Sequence, residues 1–158
     1  MPIRARDLMQ GGLVTLAPNE SLSEIQRIFA EEEIHGAPVV DEEGRLIGIV
    51  SILDLVRAAA LDKETDRETP SEFEELFDVS RGEWSRFVES YRERMQGLVA
   101  QDVMTESVIT VDADAEVPEI ARKLREGRIH RVMVVEDGGL RGVISTFDLL
   151  ALLEKGVA

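Results

Sequence analysis

The chain says the same thing twice. DLM (Asp7 to Met9) corresponds to DVM (Asp102 to Met104), and VTL (Val14 to Leu16) to ITV (Ile109 to Val111). EIHGAPVVD (Glu33 to Asp41) corresponds to RIHRVMVVE (Arg128 to Glu136), and GIVSILDL (Gly48 to Leu55) to GVISTFDL (Gly142 to Leu149). The offset is 95 residues from Asp7 to Asp102 and from His35 to His130, and 94 from Gly48 to Gly142, one residue being lost between DEEGRL and EDGGL. Two copies of about 50 residues are too few for a solenoid and make a pseudo-symmetric pair instead. Such a pair buries a face shared by the copies and leaves clefts of the kind in which ligands sit.

Composition narrows the function classes. A chain of 158 residues, 44% of them hydrophobic, can bury one sizeable core or two small ones packed together. It has no cysteine, which excludes disulfides and thiolate metal sites. Apolar runs such as Val132 to Val135 are far too short to span a bilayer. The opening MPIRARDLMQ lacks the apolar stretch of a signal peptide, so a cytoplasmic protein is expected. The formal net charge of −14 argues against nucleic acid or an anionic membrane as partner, because neutralising phosphates needs clustered Lys and Arg. The cations that do cluster are Arg122, Lys123, Arg125, Arg128 and Arg131, so the second repeat is the better source of counter-charge for an anionic ligand.

Each repeat reads as strand, helix, strand, strand, helix. In the first, Leu13 to Leu16 is a short strand. Ser21 and Glu24 then form a capping box opening a helix with an apolar stripe of Leu22, Ile25, Ile28 and Phe29. Ala37 to Val40 and Leu46 to Val50 are strands joined by the turn DEEGR, and Ile52 to Leu61 is the second helix. In the second repeat, Val108 to Val111 is a strand, Asp114 caps a helix with Pro118 in its first turn, Arg131 to Val135 and Leu140 to Ile144 form a hairpin, and Thr146 to Leu153 is the last helix. The fold class is α/β (α+β). The domain reading is a first repeat at 1–60, a helical and polar insert at 61–98, and a second repeat at 99–158. Within the insert, DKETDRETPSE is polar, Glu72 to Phe77 reads as a short helix, and Ser80 with Glu83 opens a helix carrying Trp84, Phe87, Val88, Tyr91 and Met95. That helix either packs on its own repeats or offers aromatics to a partner.

Chemistry concentrates at GIVSILD and GVISTFD. A buried strand ends in glycine, two apolar residues and serine, and the chain turns into a helix with Ser at its N-cap and Asp three residues on. Free N–H groups at a helix start attract anions, a hydroxyl there can donate to a phosphate, and the Asp can accept both hydroxyls of a ribose diol. The same Ser-x-x-Asp spacing is also what a capping box requires of any helix. Two copies in identical register, each preceded by glycine and two apolar residues, weigh toward a ligand.

Taken together and in order, the D-h-M starts (h, a hydrophobic residue), the h-T-h strands, HGAPVVD with HRVMVVE, and the paired G-h-h-S-x-x-D segments resemble a tandem of CBS domains forming a stand-alone Bateman module. The resemblance covers about two thirds of the chain and leaves the insert outside it. It implies two β-α-β-β-α repeats packed through their sheets, with two clefts that bind adenosine-containing ligands, and pairing of modules into a homodimer. Carried onto this chain, nucleotide-binding positions in one cleft are Thr15, Leu16, Gly36, Ala37, Pro38, Ser51 and Asp54. In the other they are Thr110, Val111, His130, Arg131, Val132, Met133, Ser145 and Asp148. In the family motif the Asp holds the ribose and the Ser contacts phosphate, while backbone beside Ala37 and Val132 can read the adenine edge. Met133 stands where the first repeat has Pro38, which changes the shape of the wall but keeps it apolar.

His35 and His130 occupy equivalent places before the second strand and serve either a phosphate or a backbone group of the turn. No metal site is expected, since Glu31 to Glu33 take successive helical positions that do not face one way. No nucleophile, H-E-x-x-H or P-loop motif is present, so catalysis is not expected and no cofactor is required. The resulting expectation is a regulatory, energy-sensing module that binds AMP, ADP or ATP, with or without Mg2+, and signals to a separate effector protein. Its rivals are an S-adenosylmethionine sensor and a constitutive dimerisation module with empty clefts.

Overall fold

The computed structural model describes residues 2–60 and 92–156. The element order is α1 (Ala5–Leu8), α2 (Leu22–Glu32), β1 (Gly36–Val40), β2 (Leu46–Ser51), α3 (Ile52–Ala60), α4 (Ala100–Val103), β3 (Thr110–Asp112), α5 (Val117–Gly127), β4 (Arg131–Glu136), β5 (Gly139–Ser145) and α6 (Thr146–Glu154). Residues 92–97 are also helical. The class is mixed α+β, with one two-stranded sheet, β1-β2, and one three-stranded sheet in the order β3-β4-β5.

Local rules place most elements. Ser21 caps α2 by accepting the Glu24 N–H at 3.2 Å, and Leu22, Ile25 and Phe29 recur at helical spacing and are buried. The Glu31 to Glu33 run is exposed, and Arg27 bridges Glu24 and Glu31 along the helix surface. The guanidinium of Arg27 hydrogen-bonds the Glu24 carboxylate and holds it below the usual carboxylate range. At the DEEGR turn, Asp41 Oδ1 accepts the N–H of Glu43 and of Arg45 at 2.9 Å, and Gly44 takes φ +80. Helices α2 and α5 both end on a left-handed residue that is not glycine, Glu33 (φ 54) and Arg128 (φ 52), at equivalent positions just before the two histidines.

Two expectations change. The Leu13 to Leu16 strand reduces to one bridge, Leu16 beside Val39, with the Leu16 N–H donating to the Pro38 carbonyl at 2.9 Å. Asp114 is not the cap of α5: the N-cap is Glu116, without a side-chain bond, and Pro118 lies in the first turn as expected. Asp114 Oδ1 instead accepts from Arg6 at 2.7 and 3.1 Å, and Arg6 also reaches Glu136 Oε2 at 2.7 Å. These two carboxylates raise the Arg6 pKa above its already high value. Leu61, the polar stretch, the helix at Glu72 to Phe77, Ser80 and the aromatic positions Trp84 to Tyr91 lie outside the described residues. Met95, the last residue assigned to that stripe and within the helical residues 92–97, is 1% exposed and belongs to a core.

The contacts divide the chain into two compact units that cross the repeats: residues 1–15, 40–48 and 106–158 form one, and 16–39 with 49–105 the other. In the first unit, α1 is joined to the second repeat by the Ala5 N–H donating to Ala115 (2.8 Å) and the Arg6 N–H donating to Ala113 (2.9 Å). Ala5 is fully buried in one cluster with Val111, Ala113, Ala115, Ile120, Leu124, Val132, Val134 and Ile144. Each fully buried Ile, Leu or Val there contributes roughly 1.5–3 kcal/mol. In the second unit, α4 does the same for the first repeat. The Ala100 N–H donates to Glu20 (2.8 Å) and the Gln101 N–H to Pro18 (2.9 Å), beside a core that includes Leu16, Leu22, Ile25, Phe29, Val39 and Val50. Each D-h-M helix thus completes the core of the other repeat.

Candidate functional site

The duplicated Ser-x-x-Asp segments form the same construction in each unit. Asp54 Oδ2 accepts the Ser51 N–H at 2.8 Å and the Ser51 hydroxyl at 3.0 Å, while the Asp54 N–H donates to Ser51 Oγ at 3.2 Å. Asp148 Oδ2 accepts the Ser145 N–H at 2.7 Å and its hydroxyl at 3.1 Å, and the Asp148 N–H donates to Ser145 Oγ at 3.3 Å. Both are full capping boxes. The capping and ligand readings are therefore not exclusive, because the box uses only one oxygen of each carboxylate.

The histidines complete the helix start with their backbone. The Ile52 N–H donates to the His35 carbonyl at 2.8 Å and the Thr146 N–H to the His130 carbonyl at 2.9 Å. Both imidazoles are exposed, with no partner among the described residues. With the N-cap, first and third N–H groups taken, the second, from Leu53 in α3 and Phe147 in α6, is left to meet an anion.

The strands bring the remaining positions alongside. In β3 and β4, which pair in parallel, Thr110 stands beside Met133 and Val111 beside Val134. In β4 and β5, Arg131 faces Ser145 and Val132 faces Ile144. The first repeat keeps this register at its bridge of Leu16 with Val39, next to Pro38. Leu16, Ala37, Val111 and Val132 are at most 2% exposed, so their side chains belong to the cores and only their backbones can meet a ligand. Pro38 is buried, Met133 half-buried, and Thr15, Gly36 and Arg131 are exposed. Gly36 fits because a Cβ there would come within 3.3 Å of the Val50 carbonyl oxygen.

Two residues were missed by sequence reasoning. Lys123 Nζ donates to the Thr110 carbonyl at 2.6 Å, placing a cation against a predicted site position. Ile28 stands at its place in the first repeat, and Gly36 at that of Arg131. The second is Gln10, whose Nε2 donates to Asp148 Oδ1 at 3.0 Å. Lys123 was legible as one of a cluster of cations, whereas nothing local marks Gln10, 138 residues from its partner. No group of His, Asp and Glu able to hold a metal ion occurs among the described residues.

Residues 5–61 and 99–155 each match the CBS domain. The chain belongs to the CBS-domain family. It is 30% identical over 152 residues to the uncharacterised protein MJ1426 of Methanocaldococcus jannaschii, covering 94% of this chain and 89% of that one. It spans only 42% and 32% of two further relatives from that organism. Among solved CBS structures it resembles CBSX2 in complex with AMP (TM-score 0.68, 22% identity, 96% of this chain and 97% of that one). A chloroplastic CBSX2 of Arabidopsis thaliana is 28% identical over 136 residues, 84% of this chain and 55% of that protein. The CBS domain pair of protein MJ0100, solved with 5′-methylthioadenosine and S-adenosyl-L-methionine, is similar at TM-score 0.63 and 21% identity, covering 99% of each chain. No helix among the described residues is long and apolar enough to cross a membrane.

Proposed function

We propose that this chain is a regulatory module that binds adenosine-containing nucleotides (AMP, ADP or ATP) at sites centred on Asp54 and Asp148 and passes a conformational signal to a separate protein. The observation that carries the reading is the duplicated capping box, which orients each carboxylate through Oδ2 and leaves Oδ1 outside the box. A ribose diol supplies donors for that oxygen, and the half-buried apolar side chain of Met133 on the neighbouring strand suits an adenine face. The AMP complex of CBSX2 supports the ligand class. A signal requires that the ligand favour one of two conformations of the chain.

A second reading, S-adenosylmethionine or a related adenosine without phosphate, is favoured at Asp54 by Ile28 and Gly36 standing where the second repeat has Lys123 and Arg131. The MJ0100 complex supports that ligand class. The reading extends to a homodimer. The exposed faces of α3 (Ile52, Leu53, Val56) and α6 (Phe147, Leu150, Leu153) are apolar, as pairing surfaces are. Phe147 is 77% exposed.

Thermal unfolding with millimolar AMP, ADP, ATP or S-adenosylmethionine, each with Mg2+, tests the reading. A ligand at about a hundred times its Kd adds roughly 2.7 kcal/mol, a shift of several degrees. A selective shift lost in Asp54→Ala and Asp148→Ala identifies the class. No shift with any of the four leaves a constitutive interaction module with empty sites.

A further inference from the structure

The two Asp sites are built alike but are not equally open. Asp148 Oδ2 is filled by the Ser145 N–H and hydroxyl, and Oδ1 already accepts the Gln10 amide at 3.0 Å. Asp54 Oδ2 is filled in the same way by Ser51, but Asp54 Oδ1 has no partner among the described residues. A carboxylate oxygen accepts about two hydrogen bonds, so Asp54 keeps two acceptor positions for a ribose diol while Asp148 keeps one.

The cause is one side chain at one register position. Gln10 lies against β5, its N–H donating to the Val143 carbonyl at 2.9 Å and its carbonyl accepting the Val143 N–H at 3.0 Å. Thr105 holds the same place against β2, exchanging bonds with Ile49 at 2.9 and 3.0 Å. The backbones are equivalent, but glutamine carries its donor two carbons further out than threonine carries its hydroxyl. Thr105 makes no side-chain bond to Asp54.

From this geometry we infer that Gln10 is an internal competitor for the ligand's ribose at Asp148. A ligand that offers both ribose hydroxyls to Asp148 must displace the Gln10 amide, and its release couples the site to the segment that carries α1. At Asp54 no such exchange is required. The inference rests on the adenosine reading of the site, and it names a regulation which that reading lacks.

The test uses the full chain and adenosine as probe, which separates ribose recognition from the phosphate that Lys123 and Arg131 would attract. In an amide-resolved NMR titration, the Phe147 N–H reports on the Asp148 site and the Leu53 N–H on the Asp54 site. Gln10→Thr is expected to lower the Kd read at Phe147 roughly three- to tenfold, the worth of one hydrogen bond to a carboxylate at an exposed position. The reciprocal Thr105→Gln is expected to raise the Kd read at Leu53 by a similar factor. An unchanged or raised Kd at Phe147 in Gln10→Thr overturns the inference. The latch itself is read without ligand, from the Gln10 side-chain amide resonances, which are expected to move in Asp148→Asn. If they do not, the latch is absent and the inference fails. If they move but neither backbone amide responds to adenosine, the ligand reading has failed and the competition falls with it.

Discussion

Replacing Gly142 with alanine tests why the duplicated motif begins with glycine. A Cβ at this position would lie 2.8 Å from the Gln10 carbonyl oxygen and 3.0 Å from Cβ and Cγ of Met9. Both distances are well inside ordinary non-bonded separations of about 3.5 Å, and the first is to backbone, which cannot swing aside. The segment at Met9 and Gln10 must therefore lift from β5, losing the two hydrogen bonds between Gln10 and Val143. At about 0.5–1.5 kcal/mol each, the loss is roughly 1–3 kcal/mol, offset by about 0.4–1 kcal/mol from the lower entropy of the unfolded alanine chain. A net cost of about 1–2 kcal/mol lowers the melting temperature by roughly 2–8 °C in a chain of this size. Calorimetry measures the shift, and hydrogen exchange at the Gln10 and Val143 amides locates it. Gly11→Ala is the control, because its Cβ would meet only the Arg141 carbonyl oxygen at an ordinary 3.9 Å. A Gly142→Ala protein that melts no lower than the parent, with both amides still protected, would refute the close-approach argument.

Other consequences follow from the same geometry. Asp54→Ala and Asp148→Ala each remove the reciprocal half of a capping box, costing about 0.5–2 kcal/mol, and should abolish the ligand-induced rise in melting temperature; a rise that survives in both assigns the ligand elsewhere. Phe147→Asp combined with Leu150→Asp should leave the fold intact, both residues being exposed, and convert a dimer to a monomer in sedimentation velocity; an unchanged sedimentation coefficient removes α6 from the interface. Because Arg27 depresses the pKa of Glu24 from its ordinary 4.5 in the folded chain, the pair's stabilisation is present above that value and is lost as the pH falls through the lower, folded one. Arg27→Gln should flatten that acid-side loss in melting curves recorded across the carboxylate range, and an identical pH profile would show the pair to be without consequence.

What could be read from the residues alone is what lies within a few positions of itself. The Ser-x-x-Asp boxes, the stripe of Leu22, Ile25 and Phe29, Pro118 in a first turn and the DEEGR turn are relations over two to four residues, and the fold realises each of them. The internal repeat multiplied these short signals into a family resemblance. Where a distant partner decided the outcome, the reading went astray. Asp114 has the residue type of a cap, but the guanidinium of Arg6 takes its carboxylate. Leu13 to Leu16 has the apolar, β-branched composition of a strand, but only Leu16 finds a neighbour to bridge.

Tertiary structure alone decided which copy each element serves. The repeat told that two D-h-M helices exist, and each could have packed on the repeat it precedes. Instead α1 enters the core beside Val111 and Ile144, and α4 docks beside Pro18 and Glu20. Copies that share one pattern of apolar and capping residues offer like docking surfaces, and no local pattern tells which of them a helix will choose. The choice lies in long-range backbone bonds and in the burial of single side chains such as Ala5. That exchange also sets Gln10 against Asp148 and Thr105 against the other repeat, making unequal two sites that their own motifs describe as the same.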